Sequence, residues 1–218
     1  MAERSPSLSA LCSALHELAR RRPGHSFPFD AARLPRNGIY VLFEGGEEAH
    51  GGSRIVRAGT HTGDGQLPSR LLQHFVNENK DRSIFRKNIG RALLNRASDP
   101  FLAEWELDRT SRAARERYGP EQQQAKRRAV EGDVTRYLQG HFRFVVFRVD
   151  SKSDRLALES RIISTLSRCD ECRPSDRWLG LSSPKEKIRQ SGLWLVNKLY
   201  KEPLTLADLQ VLGAVAEC

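Results

Sequence analysis

Long apolar runs are missing from this chain of 218 residues. The longest, such as residues 144–147, is far shorter than the roughly 20 apolar residues of a membrane-spanning helix. An apolar rhythm at residues 7–18 includes His16 and Glu17 and runs into three arginines. That pattern is typical of an amphipathic helix and not of a signal peptide. These absences argue against a membrane protein and favour a globular chain, which we expect in the cytoplasm or associated with the nucleoid.

Cysteine is scarce as well. The four cysteines (Cys12, Cys169, Cys172 and Cys218) are scattered, so the sequence implies no disulfide framework and is consistent with reduced thiols. The pair Cys169-x-x-Cys172 has the spacing of half a zinc site. A structural zinc site needs four ligands, however, and no second CxxC or HxxxH follows. We therefore interpret this pair as plain thiols in a turn, with half a zinc site as the alternative.

Acidic residues are outnumbered by basic ones. The chain has 36 Lys and Arg against 27 Asp and Glu, a formal net charge of +9. Such a balance favours a polyanionic partner, because each cation that neutralises a phosphate releases a counterion. The alternative is a basic surface that binds no nucleic acid. Between the two, the charge favours nucleic acid.

Hydrophobic periodicity predicts the elements of the first half of the chain. Residues 8–22 predict a helix that Pro23-Gly24 stops. Residues 38–43 and 54–58 are rich in β-forming residues and predict a hairpin, whose glycine-rich loop at 44–53 is longer than a tight turn. The period then changes, and apolar residues at helical spacing predict a helix at 69–79.

The second half begins with a polar segment. Residues 80–139 hold 14 Lys and Arg against nine Asp and Glu, mostly in helical patterns, and we interpret them as a basic helical insertion. Residues 142–149 predict a strand that is apolar on both faces, as in a strand covered on both sides. Helices follow at about 154–167, near 185–190 and at 192–200. The fold class is therefore α/β (α+β), with a small central β-sheet flanked by helices.

Two polar residues share one side of the helix predicted at 69–79. Arg70 and His74 are four residues apart, beside the buried stripe that contains Leu71 and Phe75. This spacing would place an always-charged guanidinium and a titratable imidazole at the rim of a core. The residues alone favour the plainer interpretation, a solvated Arg-His pair on an amphipathic helix.

Glu159 lies on the apolar face of the helix predicted at 154–167. It precedes Ile162, Ile163 and Leu166 by three, four and seven residues. A carboxylate there needs a cation or hydrogen-bond donors, because burying it alone costs several kcal/mol. A metal ion is one interpretation and a salt bridge to a neighbouring arginine such as Arg155 is the other.

Four sequence features follow one another in a recognisable order. Residues 38–40 read Gly-Ile-Tyr, residues 57–59 read Arg-Ala-Gly, and the next helices carry Arg70 with His74 and then Glu159. This order resembles the GIY-YIG nuclease superfamily. There one strand bears GIY, the next bears YIG, the following helix bears Arg with His or Tyr one turn on, and a later helix bears the metal-binding Glu.

The resemblance implies a division of the chain. A GIY-YIG-like nuclease domain would span residues 34–200 and contain the basic insertion at about 80–140. A helical extension at 1–33 would precede it, and a C-terminal tail at 201–218 would follow it.

The resemblance also implies a chemistry, namely metal-dependent hydrolysis of DNA phosphodiester bonds by a one-metal mechanism. Tyr40 would position or deprotonate the attacking water, with His74 as the alternative base or as the acceptor of the proton from Tyr40. Arg70 would neutralise charge growing on the phosphate. Glu159 would hold one divalent metal, Mg²⁺ or else Mn²⁺, because these ions favour oxygen ligands. The expected partner is double-stranded DNA.

The second motif departs from the family pattern. Arg57 stands where the superfamily has a tyrosine that is a candidate for helping to activate water. Either Tyr40 and His74 carry the proton transfer, or the chain is a weakened nuclease; Arg57 contacting a phosphate is a further option. The rival functions are an inactive DNA-binding module of the same fold and a nuclease that acts on RNA. A compact restriction-type enzyme is the first expectation for the biological role.

Further residues are expected near the nucleic acid. Arg86 and Lys87 are expected to reach the DNA backbone, with a solvated basic loop as the alternative. Asn197 is expected on a late helix, where members of the superfamily often carry a polar site residue. Thr60 and His61 follow the second motif and are expected to line the cleft.

Overall fold

The computed structural model of the protein describes residues 6–108 and 121–214. Within these residues four strands form one sheet in the order β1-β4-β2-β3, and every neighbouring pair is antiparallel. The strands are β1 (His25–Ser26), β2 (Gly38–Ala49), β3 (Gly52–Gly59) and β4 (Phe142–Arg148). Strand β3 therefore lies at one edge of the sheet, next to the strand that bears Tyr40.

Helices cover both faces of this sheet. They are α1 (Leu8–Arg20), α2 (Leu67–Phe75), α3 (Ile84–Arg96), α4 (Leu102–Glu106), α5 (Glu121–His141), α6 (Lys152–Arg168), α7 (Glu186–Ser191) and α8 (Leu206–Ala214). Serine side chains at positions 7, 83 and 151 accept a main-chain N–H of the first turn of α1, α3 and α6, and α2 has a proline in its first turn. The predicted α/β class, a small central sheet flanked by helices, is confirmed.

The alternation of side chains along the strands divides the core into two layers. On β2, Ile39 and Val41 face a layer that also contains buried residues of α1, α6 and α8. Tyr40 and Leu42 face the other layer, with buried residues of α2, α3 and α5. Strand β4 contributes to both layers, as its apolar pattern predicts. A catalytic group on one layer can meet a group on the other only where the sheet ends.

The hairpin differs from its prediction. Strand β2 continues to residue 49, and the turn is only His50-Gly51, whose φ angles of 51° and 72° suit a tight two-residue hairpin. The sequence suggested a loop because residues 44–53 hold four glycines, and the carboxylates of Glu44 and Glu47 fall in the same stretch. Both carboxylates are instead buried with partners: Glu44 accepts hydrogen bonds from two tryptophan indoles, and Glu47 pairs with the buried Arg54.

The helix predicted at 192–200 is wrong. This segment consists of turns and bends, because Gly192, Lys198 and Tyr200 adopt positive φ angles of 66°, 63° and 56°. A helix forms further on instead, as α8, and its Leu209 and Leu212 are buried in the layer that α1 helps to form. The segment expected to be a tail therefore contributes to the core.

The insertion is also more than a polar surface. Helix α3 buries Phe85, Ile89 and Ala92, and α5 buries Val134 and Leu138, all in the same layer as Tyr40. The described part of the insertion thus covers one face of the sheet. None of the described helices has the length and apolarity required to span a membrane.

Candidate active site

Tyr40 and His74 form the centre of the site. The Oη atom of Tyr40, on β2, lies 2.7 Å from Nε2 of His74, on α2, and both side chains are fully buried. Tyr40 pairs across the hairpin with Gly59. A Cβ atom at Gly59 would lie 2.3 Å from the Tyr40 Oη. The glycine of the second motif is therefore required by the tyrosine of the first.

His74 is held from both sides of its ring. Its Nδ1 lies 2.8 Å from Oγ of Ser83, and that Oγ accepts the main-chain N–H of Arg86. Burial, together with the positive charges of Arg70 and Arg57, lowers the pKa of His74 well below its usual value of 6.5. The imidazole is thus neutral at neutral pH, with one nitrogen as donor and the other as acceptor.

Arg57 lies inside the protein, on the Tyr40 side of β3. Its Nη1 donates to the carbonyl oxygen of Trp194 at 2.5 Å, and its guanidinium carbon lies 4.7 Å from the centroid of the Phe85 ring. The Nε atom is buried and has no hydrogen-bond partner among the described residues. Burial lowers the pKa of Arg57, and the nearby charges that act on it include Tyr40.

Arg70 is half-buried at the rim, as its position on α2 predicts. Its Nη1 donates to the Gln73 side chain at 3.0 Å and to the carbonyl oxygen of Arg82 at 3.1 Å. The positive charge of Arg70 lowers the pKa values of both His74 and Arg57, so the three side chains share one neighbourhood. Arg70 also lines a surface cleft of about 260 Å³, together with Thr60, His61, Thr62, Gln66, Ser69 and Gln73.

Glu159 reaches the site from the opposite layer, on α6. Its Oε1 accepts the main-chain N–H of Thr60 at 3.2 Å, just beyond the end of the edge strand β3. Its Oε2 forms an ion pair with Nζ of Lys198. The suggested alternative partner, Arg155, is instead buried and donates to the carbonyl oxygens of residues 149 and 150. The cation that accompanies Glu159 is an ammonium from a distant part of the chain.

The donor set around Glu159 is sparse. In the described ranges, no group of three or more His, Cys, Asp or Glu side chains converges around Glu159. A single carboxylate suits an ion such as Mg²⁺, which keeps several waters and takes the rest of its ligands from substrate phosphate. The residues present therefore fit one such ion, provided that Lys198, whose side chain is 33% exposed, moves off the carboxylate.

Two residues that were expected to contact nucleic acid, Arg86 and Lys87, form hydrogen bonds within the protein instead. Arg86 is fully buried on α3 and bonds Glu131 through Nε at 3.1 Å and Nη2 at 2.8 Å. It is neither in a solvated loop nor at the surface, so we withdraw it from the DNA-contacting set. Lys87 is half-buried, and its Nζ donates to the carbonyl oxygen of Glu106 at 2.9 Å. Burial lowers the pKa of Lys87.

His61 and Asn197 lie closer to the site. The Nε2 of His61 accepts the main-chain N–H of Gly38 at 3.3 Å, so its Nδ1 donates to the carbonyl oxygen of Gly63 at 2.6 Å. Both nitrogens are therefore engaged, and burial lowers the pKa of His61. Asn197 is exposed in a turn and not on a helix, directly before Lys198.

Sequence reasoning missed two residues of the site. Ser83 could have been suspected, because a serine before an apolar helical run is a typical N-cap, although its contact with His74 has no sequence signal. No feature of the sequence indicated that Lys198 belongs to the site. Its approach to Glu159 depends on the fold of residues 192–200, which the sequence predicted as a helix.

Comparison with known proteins identifies the family. A family model described as GIY-YIG domain matches residues 2–217, which is nearly the whole chain. Neither the search of curated proteins nor that of solved structures gives a significant match. Nucleases of this family generally use a divalent metal and act on DNA. The chain belongs to the GIY-YIG domain family, which is a superfamily of endonucleases.

Proposed function

We propose that the protein is a metal-dependent endonuclease that hydrolyses phosphodiester bonds of double-stranded DNA with one metal ion. The proposal rests on the buried hydrogen bond between Tyr40 and His74. Arg57 and Arg70 lie beside this pair, and Glu159 lies at the end of the edge strand β3, which bears Arg57. The neutral imidazole offers the hydroxyl of Tyr40 a route for its proton, and the two guanidinium groups place positive charge beside it.

The reaction divides into a proton transfer and a displacement. A water oxygen attacks phosphorus and loses a proton, and the 3′ oxygen leaves and gains one, so the products carry a 5′ phosphate and a 3′ hydroxyl. Tyr40 accepts the proton of the water at Oη as its own proton passes to His74. This relay needs the lone pair on Nε2, which is present when Nδ1–H of His74 donates to Ser83.

The cations act on the phosphate. Arg70 lines the cleft, and its fixed fork can bond two phosphate oxygens as negative charge grows on them. Arg57, buried on the same side of the sheet as Tyr40, adds a positive charge close to it. Arg57 stands at the position of the second tyrosine, but a guanidinium that is always charged cannot take that tyrosine's part in proton transfer.

Glu159 would hold the metal ion. When bound, the ion supplies Lewis-acid stabilisation of a phosphate oxygen and of the leaving oxygen. Lys198 competes for the same carboxylate. We propose Mg²⁺, with Mn²⁺ as a substitute, because the carboxylate of Glu159 offers oxygen ligands.

The substrate follows from charge and shape. The net charge of +9 favours a polyanion, and Arg70, which lines the cleft, donates to the carbonyl oxygen of the exposed Arg82. We propose that Arg70, Arg82 and Lys198 contact the DNA backbone, with His61 and Thr60 as part of the cleft wall. A restriction-type role remains part of this proposal.

Two observations favour a second function. Glu159 is neutralised by Lys198, and Arg57 replaces the tyrosine of the second motif. A chain that binds DNA without cutting it would tolerate both features, since it needs no metal. This inactive module is the alternative that the experiment must separate.

The experiment incubates purified protein with supercoiled plasmid, linear DNA and RNA, with Mg²⁺, with Mn²⁺, and with EDTA followed by excess Mg²⁺. We expect nicked and linear DNA only where a divalent metal is present, recovery after Mg²⁺ is restored, and no cleavage by Glu159→Gln. DNA binding without cleavage in any metal would support the inactive module. Cleavage by Glu159→Gln at the parent rate would refute the metal assignment.

A further inference from the structure

A cluster of cysteine and histidine side chains lies on the face of the sheet opposite Tyr40. Cys12 and His16 come from α1, His50 from the hairpin turn and Cys172 from the 3₁₀ turn after α6. Each of the four side chains offers one ligand atom, and these four atoms all lie within 4.8 Å of one another. All four side chains are buried, and the histidine at 50 exposes only 1% of its side chain.

The distances within the cluster are close to those of a tetrahedral site. The two Sγ atoms of Cys12 and Cys172 are 3.4 Å apart, and Sγ of Cys172 is 3.9 Å from Nε2 of His16. Zinc bonds of about 2.3 Å to sulfur and about 2.05 Å to nitrogen imply edges of about 3.8 Å between sulfurs and about 3.6 Å between sulfur and nitrogen. Small side-chain rotations would bring the four ligand atoms within bonding distance of a single zinc ion.

Second partners already orient both imidazoles. Nδ1 of His50 lies 3.4 Å from a carboxylate oxygen of Glu171, and its Nε2 lies 3.4 Å from Sγ of Cys169, at the edge of the cluster. Nδ1 of His16 donates to the carbonyl oxygen of Cys12 at 2.9 Å, so the lone pair of this imidazole is on Nε2. A metal-ligating histidine typically gives its other nitrogen to a carboxylate or a carbonyl in this way.

We infer that Cys12, His16, His50 and Cys172 bind one zinc ion in a structural site. Two thiolates and two imidazoles select zinc over Mg²⁺, which prefers oxygen. Four protein ligands leave no open position for a substrate, so the site is structural. It joins α1, the β2–β3 hairpin and the turn after α6 at a single point.

The plainer interpretation is a satisfied core without metal. The Nε2 of His16 accepts the main-chain N–H of Ile55 at 3.1 Å, and zinc would take over that lone pair. The thiols of Cys12 and Cys172 have weaker partners: their sulfurs contact each other and the imidazole of His16, and the thiol of Cys169 lies beside them. Two buried thiols, which are weak donors, are poorly satisfied by such contacts, whereas as thiolates they would be strong zinc ligands.

The proposed site uses only one cysteine of the Cys169-x-x-Cys172 pair. No second CxxC or HxxxH follows that pair, and the structure brings the other ligands from earlier in the chain. Cys12-x-x-x-His16 places both side chains on one face of α1, a signal that the sequence did contain. Cys169 lies beside the cluster, with its Sγ 3.4 Å from Nε2 of His50, but it is outside the group of four.

The test measures metal content and not nuclease activity, so it stands apart from the proposed function. Full-length protein is purified under reducing conditions without a metal-affinity step, and its zinc is measured by mass spectrometry of the elements. We expect about one zinc per chain in the parent and near none in Cys12→Ser and Cys172→Ser. The matched control Cys169→Ser should keep its zinc.

A second measurement covers variants that fail to fold. The parent, stripped by a strong chelator, is titrated with Co²⁺, and we expect a thiolate charge-transfer band and the intense visible bands of tetrahedral Co²⁺, saturating at one ion per chain. Zinc-free parent protein with only the weak spectrum of octahedral Co²⁺ would overturn the inference, as would a Cys12–Cys172 disulfide. Loss of zinc in Cys169→Ser equal to that in Cys172→Ser would overturn the assigned ligand set.

Discussion

Glu159 and Lys198 form an ion pair at the end of the edge strand β3, although they lie on different segments that converge there. The Glu159 side chain is 13% exposed and that of Lys198 is 33% exposed. The carboxylate that we propose as the metal ligand therefore has an ammonium as its cation in this structure. Under that proposal, metal and ammonium would compete for the same oxygen atoms.

This competition predicts that Lys198→Met increases the apparent affinity for Mg²⁺. Removing the ammonium leaves the carboxylate uncompensated, so the metal concentration for half-maximal cleavage should fall, by several-fold if the pair is worth about 1 kcal/mol. Lys201→Met, at an exposed lysine three residues away, is the matched control. An unchanged or higher metal requirement in Lys198→Met would show that Lys198 does not oppose the metal.

Arg70 should act mainly in the transition state, where charge on the phosphate is greatest. Arg70→Ala is expected to lower the single-turnover cleavage rate by on the order of 10²–10³, with a much smaller loss of DNA affinity. Arg70→Lys should restore only part of the rate, because an ammonium lacks the fork. Affinity and rate losses of equal size would instead make Arg70 a ground-state anchor for DNA.

The lowered pKa of His74 predicts that the stability of the protein depends on pH. Its folded-state pKa is well below 6.5, so below that pH the unfolded chain binds a proton that the folded chain does not. The free energy of unfolding should therefore fall as pH falls below 6.5, by up to about 1.4 kcal/mol per pH unit from this group. Denaturant titrations at several pH values should show a shallower fall in His74→Gln. Equal slopes in the two proteins would contradict a buried neutral imidazole.

Two neighbouring arginines should behave in opposite ways. Arg82→Gln, at an exposed position whose carbonyl accepts Arg70, should weaken DNA binding and reduce the slope of log affinity against log salt by about 0.9. Arg86→Gln leaves Glu131 buried without its cation and should destabilise the fold by about 3–5 kcal/mol. Arg21→Gln, at an exposed arginine of α1, is the surface control. A salt slope that Arg82→Gln leaves unchanged would place the DNA elsewhere.

Local sequence patterns were enough to predict much of the fold. The apolar stripe around Leu71 and Phe75 and the two-faced strand β4 are visible without any long-range information. The prediction failed where charged residues are buried by distant partners. Glu47 lies in a glycine-rich stretch that the sequence predicts as a loop, whereas in the structure it is part of β2 and its carboxylate is buried against Arg54.

The site shows the same division. The order of Tyr40, Arg70, His74 and Glu159 along predicted elements was enough to choose the residues, since each is marked by its own motif or helix face. Their partners were not predictable. Whether Glu159 meets an arginine, a metal ion or Lys198 depends on which segments converge, and local sequence does not encode that convergence.

The most direct test of the account compares two tyrosines that each lose only a hydroxyl. Tyr40 bonds His74, whereas Tyr137 donates to the buried carboxylate of Glu44 at 2.5 Å, so both Tyr→Phe changes remove one buried hydrogen bond. Each should cost about 1–3 kcal/mol of stability. In single-turnover cleavage of DNA with saturating Mg²⁺, we expect Tyr40→Phe to be slower than the parent by about 10²–10⁴ and Tyr137→Phe to match the parent. Equal cleavage rates in Tyr40→Phe and Tyr137→Phe would contradict the proton relay through Tyr40.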